Sequence, residues 1–271
     1  MLKHRLILGA VFIALLVGLL WLDGAVAGGW IVAGLVIALV TLGSAEFAAM
    51  WRGMGYRASA AWTALCALAA LGVTTAPVWS DSPPAGATAW ALAAIAALSA
   101  AVYARCKDPA VVPPAAAGAL LGSVYLGVLP AAVILLRDEH GAWMLLGVLG
   151  VIKSCDIGAY FVGCNLGRHK LIPWLSPAKT WEGLVGGVVT AAVLAAGLSG
   201  LTDLVSPVAA AGIGAALGLA GQAGDLFESL LKRSAGVKDS GRMPGFGGVL
   251  DLLDSPLAAV PVAWGLLRLA G

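Results

Sequence analysis

The stretch GDLFESLLKRSAGVKDSGRMPGFGGVLDLLDS, residues 224–255, lies across the junction of two apolar windows at 205–230 and 253–269. It gathers Asp225, Glu228, Asp239, Asp251 and Asp254 with Lys232, Arg233, Lys238 and Arg242 around a glycine-rich turn. Most of the rest of the chain is Ala, Leu, Val and Gly. Charge is costly beside long apolar runs, so such an island reads as a polar site at a membrane surface, with the other segments as its scaffold.

Composition supports that setting. The chain is 61% hydrophobic and 11% charged, with a mean hydropathy of +0.96. Apolar windows fall near 6–22, 28–48, 60–79, 85–104, 113–136, 142–162, 184–200, 205–230 and 253–269. Each approaches the roughly 20 residues that cross a bilayer. The expected fold is an all-α, polytopic integral membrane helix bundle of about nine transmembrane helices. It forms one domain over 1–271, with 1–140 mainly scaffold and 141–271 carrying the site.

Charge placement orients the spans. With nine crossings, thirteen of the Lys and Arg residues fall on one side and only Arg137 and Arg268 on the other, while Lys153 lies within a span. The second side also carries Asp23, Asp81, Asp138, Glu139 and Asp203 in its loops. The asymmetry puts the N-terminus and both polar loops, after the sixth and eighth spans, in the cytoplasm. Lys3, His4 and Arg5 before Leu6–Leu22, with Ala25-Val26-Ala27 after it, admit a cleaved signal as well as an uncleaved first span, and the length favours the span. Cys66, Cys106, Cys155 and Cys164 show no metal-ligand spacing and read as small apolar fillers. Gly183 and Gly187, then Gly214 and Gly218, have the spacing of close helix packing, within the bundle or at a dimer face.

The polar residues fall into three groups. Lys153 and Asp156 stand at i and i+3 and can pair on one helix face. The loop NLGRHKLIPWLSPAKTWEG, 165–183, carries Ser176-Pro177 as the expected start of a turn or helix, followed by Lys179 as a candidate phosphate ligand. In 224–255, Asp225 and Glu228 are three apart, and Asp251 and Asp254 repeat that spacing beyond the turn. Hard divalent ions take one or two carboxylates plus substrate phosphates, glycine lets backbone amides approach an anion, and basic side chains neutralise it. Carboxylates, cations and bare backbone together suit a metal–polyphosphate complex. Asp254-Ser255-Pro256 also reads as a helix cap; if the helix begins near Val249 instead, Pro256 lies inside it.

No GxxxxGK[ST], GxGxxG after a strand, GxSxG or HExxH is present, which disfavours P-loop ATPases, Rossmann oxidoreductases and zinc proteases. The residues resemble the phosphatidate cytidylyltransferase (CDP-diacylglycerol synthase) family. The resemblance rests on Ser229, Lys232-Arg233, Lys238-Asp239, Gly241, Pro244-Gly245, Gly247-Gly248, Asp251 and Asp254, standing in the order of the family's signature. DIGAYFVG at Asp156, HKLIPWLSPAKTWEG at His169 and GDLFES at Gly224 extend it, and EF-x-x-M at Glu46 is similar to the family's second-span exit. Phe246 stands where the family usually has His and Leu252 where it has Arg, and the segment from Gly241 to Pro244 is one residue shorter.

The resemblance implies transfer of the cytidylyl group of CTP to phosphatidate, giving CDP-diacylglycerol and pyrophosphate in phospholipid biosynthesis. It implies Asp225, Lys232 and Asp251 as catalytic residues, with Asp225, Asp251 and Asp254 toward Mg²⁺, alone or with a second cation. Asp156, Ser176, Lys179, Arg233, Lys238, Asp239, Gly247 and Gly248 would bind substrate and phosphate. An inner-membrane location and a homodimer are further expectations. The rival readings are a CTP-dependent lipid kinase of the dolichol- or phytol-kinase type, and an ion-coupled transporter using Asp156, Lys153 and Asp225.

Overall fold

The computed structural model describes residues 14–80, 86–202, 204–243 and 247–270. Lys3, His4, Arg5, the start of the first apolar window, Asp81, Asp203, and Pro244, Gly245 and Phe246 of the glycine turn lie outside the described residues. The protein is an all-α polytopic membrane protein. Its helices are α1 (Ala14–Ala27, the last turn wound as a π-helix), α2 (Trp30–Gly53), α3 (Ala60–Thr74), α4 (Ala76–Trp79), α5 (Ala87–Ala104) and α6 (Val112–Ser123). A π-turn at Val124–Val128 leads into α7 (Leu129–Leu166), and α8 (Trp181–Ser199), α9 (Pro207–Ser234) and α10 (Val249–Ala270) complete the chain.

Six helical stretches are long and apolar enough to cross a membrane, and α1 and α3 are shorter apolar helices. One stretch, Val112–Leu166, runs 55 residues, well beyond the roughly 20 that one crossing needs. Gly141, at φ 85° and ψ 168°, breaks it, which separates the windows at 113–136 and 142–162. Each apolar window of the sequence thus has its helix among the described residues. Hydroxyls in these helices turn back on their own backbone. Ser44 donates to Val40 O, Thr74 to Ala70 O, Ser123 to Ala119 O and Thr190 to Gly186 O, so a hydroxyl is satisfied where no water is available.

The chain forms two compact units, Met1–Ala142 with Leu231–Leu252, and Trp143–Leu230 with Leu253–Gly271. In the first, α2 packs through Phe47, which is buried and lies near the rings of Trp51 and Tyr125. Trp51 Nε1 donates to Pro114 O at 3.1 Å, and Trp62 Nε1 to Ser99 Oγ at 3.0 Å, so both indoles are satisfied. Asp23, assigned by the sequence to a loop, is instead fully buried. Its Oδ1 accepts from the amides of Ile31 and Val32 in the first turn of α2, and Arg137 Nε donates to its Oδ2 at 2.6 Å.

In the second unit small residues set the helix contacts. A Cβ on Gly187 would meet Cys155 O at 2.6 Å, one on Gly183 would meet Ala159 O at 2.9 Å, and one on Gly214 would meet Ala195 Cβ at 2.6 Å. These glycines are used inside the unit rather than held free for a second copy.

Two local expectations are corrected. Ser176-Pro177 begins neither a turn nor a helix: it opens strand β2 (Ser176–Thr180), antiparallel to β1 (Lys170–Ile172). The residues that follow explain it, because Thr180 is extended and its Oγ1 accepts from Gly183 N at 3.1 Å, capping α8 and postponing the helix to Trp181. Of the two readings of Asp254-Ser255-Pro256, the cap at Ser255 fails and the helix start near Val249 holds. That helix starts at Val249, and both Pro256 and Pro261 lie inside it.

Candidate functional site

Each unit carries a polar cluster. In the second, Lys153 and Asp156 pair on α7 as their spacing predicts, Nζ to Oδ2 at 3.2 Å, and Gln222 of α9 donates to Asp156 Oδ1 at 3.0 Å. One turn further along α9, Asp225 Oδ2 lies 2.7 Å from Lys179 Nζ. Strand β2 fixes the position of Lys179. That strand pairs with β1, and Glu182 holds the approach to β1 by accepting from the amides of Arg168 and His169 and pairing with His169 Nδ1 at 2.5 Å. Ser176, at the other end of β2, is partly buried and makes no side-chain contact that joins it to Lys179.

Asp254 of α10 belongs to the same cluster. A Cβ on Gly224 would collide with Asp254 O, so the bare glycine lets α10 lie against α9 there. The Asp254 carboxylate is within Coulombic range of Asp225, Lys153 and Asp156. Among these named groups, Asp156, Asp225 and Asp254 face only Lys153 and Lys179, an excess of negative charge that a bound cation would offset.

The first unit holds the glycine turn. Lys232 Nζ lies 2.5 Å from Asp251 Oδ1, and both side chains are largely buried. Ser240 donates to Asp251 Oδ2 through its amide at 2.8 Å and its hydroxyl at 2.9 Å. The chain between them closes on itself, with Met243 N to Gly247 O at 2.6 Å and Gly247 N to Met243 O at 3.2 Å, and Gly247 at φ 86°. Arg233, Lys238 and Asp239 are exposed; Arg233 Nη1 reaches Val237 O at 3.4 Å. The candidate residues therefore divide. Asp156, Lys179, Asp225 and Asp254 come together in one unit, and Lys232, Asp251, Gly247 and Gly248 in the other. Arg233, Lys238 and Asp239 stand at the surface as solvated charge.

One residue of this arrangement escaped the sequence reading as a site residue. Glu46, near the end of α2, accepts from Val249 N at 2.9 Å through Oε1, from Leu250 N at 3.0 Å through Oε2, and from Ser240 Oγ at 2.9 Å. The only sequence signal was an acidic residue at the exit of an apolar window, within EF-x-x-M.

The donors present fit Mg²⁺. Carboxylate oxygens are the ligands a hard cation takes, and it commonly draws only one or two from protein and the rest from phosphate and water. Among the described residues no three His, Cys, Asp or Glu side chains group as a ready-made metal cage. Asp225 and Asp254 fit best because their cluster carries excess negative charge, although Asp225 meets Lys179 through Oδ2 and Ser229 Oγ through Oδ1 at 3.4 Å, and Asp254 Oδ1 accepts from Ser255 N. Asp251 already has Oδ1 engaged by Lys232 and Oδ2 by Ser240.

Comparison with known proteins identifies the family. The chain is 44% identical over 153 residues to the phosphatidate cytidylyltransferase of Bacillus subtilis (strain 168), covering 55% of this chain and 57% of that protein. It is 42% identical over 151 residues to the phosphatidate cytidylyltransferase of Haemophilus influenzae, covering 48% and 50%. It is 40% identical over 143 residues to that of Mycobacterium leprae, covering 51% and 45%. The chain spans about half the length of the curated relatives it matches. The sequence profile of the cytidylyltransferase family matches residues 3–270, nearly the whole chain. The protein belongs to the cytidylyltransferase family.

Proposed function

We propose that the chain transfers the cytidylyl group of CTP to phosphatidate, forming CDP-diacylglycerol and releasing pyrophosphate. The observation that carries this reading is the pairing of part-buried Lys with Asp, Lys179 with Asp225 and Lys232 with Asp251, in a membrane-spanning member of a cytidylyltransferase family. Each pair holds a cation and an anion ready. Toward a metal-bound polyphosphate, Lys179 in the second unit would turn to phosphate oxygens, as Lys232 would in the first, where Arg233 and Lys238 add exposed positive charge. Asp225 and Asp254 of the second unit would hold Mg²⁺, which supplies charge neutralisation on the phosphates when bound; in the first unit Asp251 could take part only by giving up its contacts to Lys232 and Ser240.

A phosphate oxygen of the lipid attacks the α-phosphorus of CTP, and the bond to the β-phosphate breaks to release pyrophosphate. That oxygen carries no proton near neutral pH, so no general base is needed. The main task of the residues is to offset repulsion between two polyanions and the charge gathering on the leaving group. We infer a bacterial inner membrane location with the site loops on the cytoplasmic side, where soluble CTP and a lipid headgroup are both at hand. A homodimer, if formed, would use a face other than the glycines buried within the second unit.

The test is radiolabelled CTP with phosphatidate and purified protein in detergent. Labelled lipid with stoichiometric pyrophosphate supports the reading. Release of CDP with a phosphorylated lipid alcohol would move the protein to the CTP-dependent lipid kinases.

A further inference from the structure

The glycines before α10 invite a reading as an anion cradle, and the first-turn amides of a helix are indeed a ready anion site. Here that position is filled from within the protein. Both carboxylate oxygens of Glu46 are engaged by the amides of Val249 and Leu250. Gly248, which precedes the helix, has no side chain with which to cap it, so the cap comes from α2, about two hundred residues earlier in the chain.

The neighbouring glycines make room for it. A Cβ on Gly241 would collide with Glu46 Oε1, and one on Gly248 would collide with Ser240 Oγ and stand 2.6 Å from Glu46 Oε2. The Ser240 hydroxyl lies 2.9 Å from Glu46 Oε2 and 2.9 Å from Asp251 Oδ2, placing its single proton between two carboxylates. Asp251 then receives Lys232 on its other oxygen. A chain of contacts therefore runs from Glu46 through Ser240 to Asp251 and Lys232.

We propose that Glu46 is a positioning residue, which fixes the first turn of α10 and the Ser240 loop and so sets the Asp251–Lys232 pair. It touches no substrate and acts through those residues. The inference rests on the cytidylyltransferase reading for its kinetic readout but not for its structural one.

The experiment compares wild type with Glu46→Gln and Glu46→Asp in detergent, by kinetics and by hydrogen exchange of the peptide spanning 247–252. The Gln amide retains one acceptor oxygen and sets an NH₂ against an amide donor. The Asp variant keeps the charge but is one methylene short. Glu46→Gln should lower kcat by roughly 100-fold, as a displacement of about 1 Å in a site does, with KM for CTP changed less than about threefold. Exchange at Val249 and Leu250 should speed by about tenfold or more, as for one lost charge-assisted bond. Glu46→Asp should recover part of both.

Unchanged kcat, or unchanged exchange, overturns the proposal. A fall in KM with kcat preserved also overturns it, because it would mark Glu46 as a placeholder that substrate phosphate displaces. If the wild type releases no pyrophosphate, the functional reading fails by itself and the exchange arm still decides the role of Glu46. If Glu46→Gln does not accumulate, Ser240→Ala removes only the connecting hydroxyl: a fall in kcat at constant KM supports the proposal, and unaltered kinetics overturn it.

Discussion

Arg137 and Asp23, 114 residues apart in sequence, form an ion pair in which the aspartate is wholly buried and the arginine nearly so. Arg137 Nη2 also donates to Asp23 O at 3.1 Å, while Asp23 Oδ1 caps α2. The pair ties α1, α2 and α7 of the first unit together. Breaking a buried pair from one side leaves an uncompensated charge, and that costs more than removing both partners.

Arg137→Leu is therefore expected to destabilise the protein by about 3–5 kcal/mol, as loss of one partner of a buried pair does. The Asp23→Leu, Arg137→Leu double variant should lie closer to wild type than the sum of the single variants. Thermal unfolding in detergent, read by fluorescence-detected size exclusion, measures both; additive losses would show that the two charges are not coupled.

Asp251→Asn should reduce pyrophosphate release by about 100-fold or more while membrane insertion and elution profile remain normal, because the substitution removes the negative charge facing Lys232 but preserves shape. Lys232→Met is the reciprocal test. Near-normal turnover in both would take the pair out of the reaction.

The second unit offers a metal test. Chelation by EDTA should abolish turnover and added Mg²⁺ should restore it. Asp225→Asn and Asp254→Asn should each raise the Mg²⁺ concentration needed for half-maximal activity by roughly tenfold, the scale on which a lost ligand acts. A Mg²⁺ dependence identical to wild type in both variants would assign these carboxylates to structure alone.

Gly224→Ala tests the approach of α9 and α10 within that unit. The added methyl would meet Ala258 Cβ at 2.8 Å and collide with Asp254 O. Backbone cannot move aside cheaply, so a loss of about 1–3 kcal/mol is expected, as for other overpacked sites. Gly265→Ala, with open space around its Cβ position, is the control and should unfold as wild type does.

The spans were legible because hydrocarbon thickness imposes a length on apolar runs, and every window has its helix. The Lys153–Asp156 pair was legible for a similar reason: one helix turn sets the distance. What the sequence did not disclose depends on partners that only the fold brings together. Lys179, read as a free phosphate ligand, is already paired with Asp225. Asp23, read as a loop charge, is a buried cap. Glu46 looked like a residue at a span exit because nothing within 200 positions of it signals the amides it holds. The β1–β2 hairpin was missed because strands of three and five residues are too short to show an alternating pattern, and Thr180 defers the helix that Ser176-Pro177 had suggested.

The reach of Glu46 also bears on how the protein is made. Its carboxylate stands in α2, and the amides that satisfy it belong to α10, 203 residues later and so made after it. Until α10 is synthesised, Glu46 has no backbone partner there, and the turn bearing Ser240 has no anchor. The Ser240 turn thus takes shape only once α10 is present. A chain stalled before Val249 would leave the Ser240 turn without the carboxylate bridge that holds it to α10, so order in that turn waits on synthesis of α10.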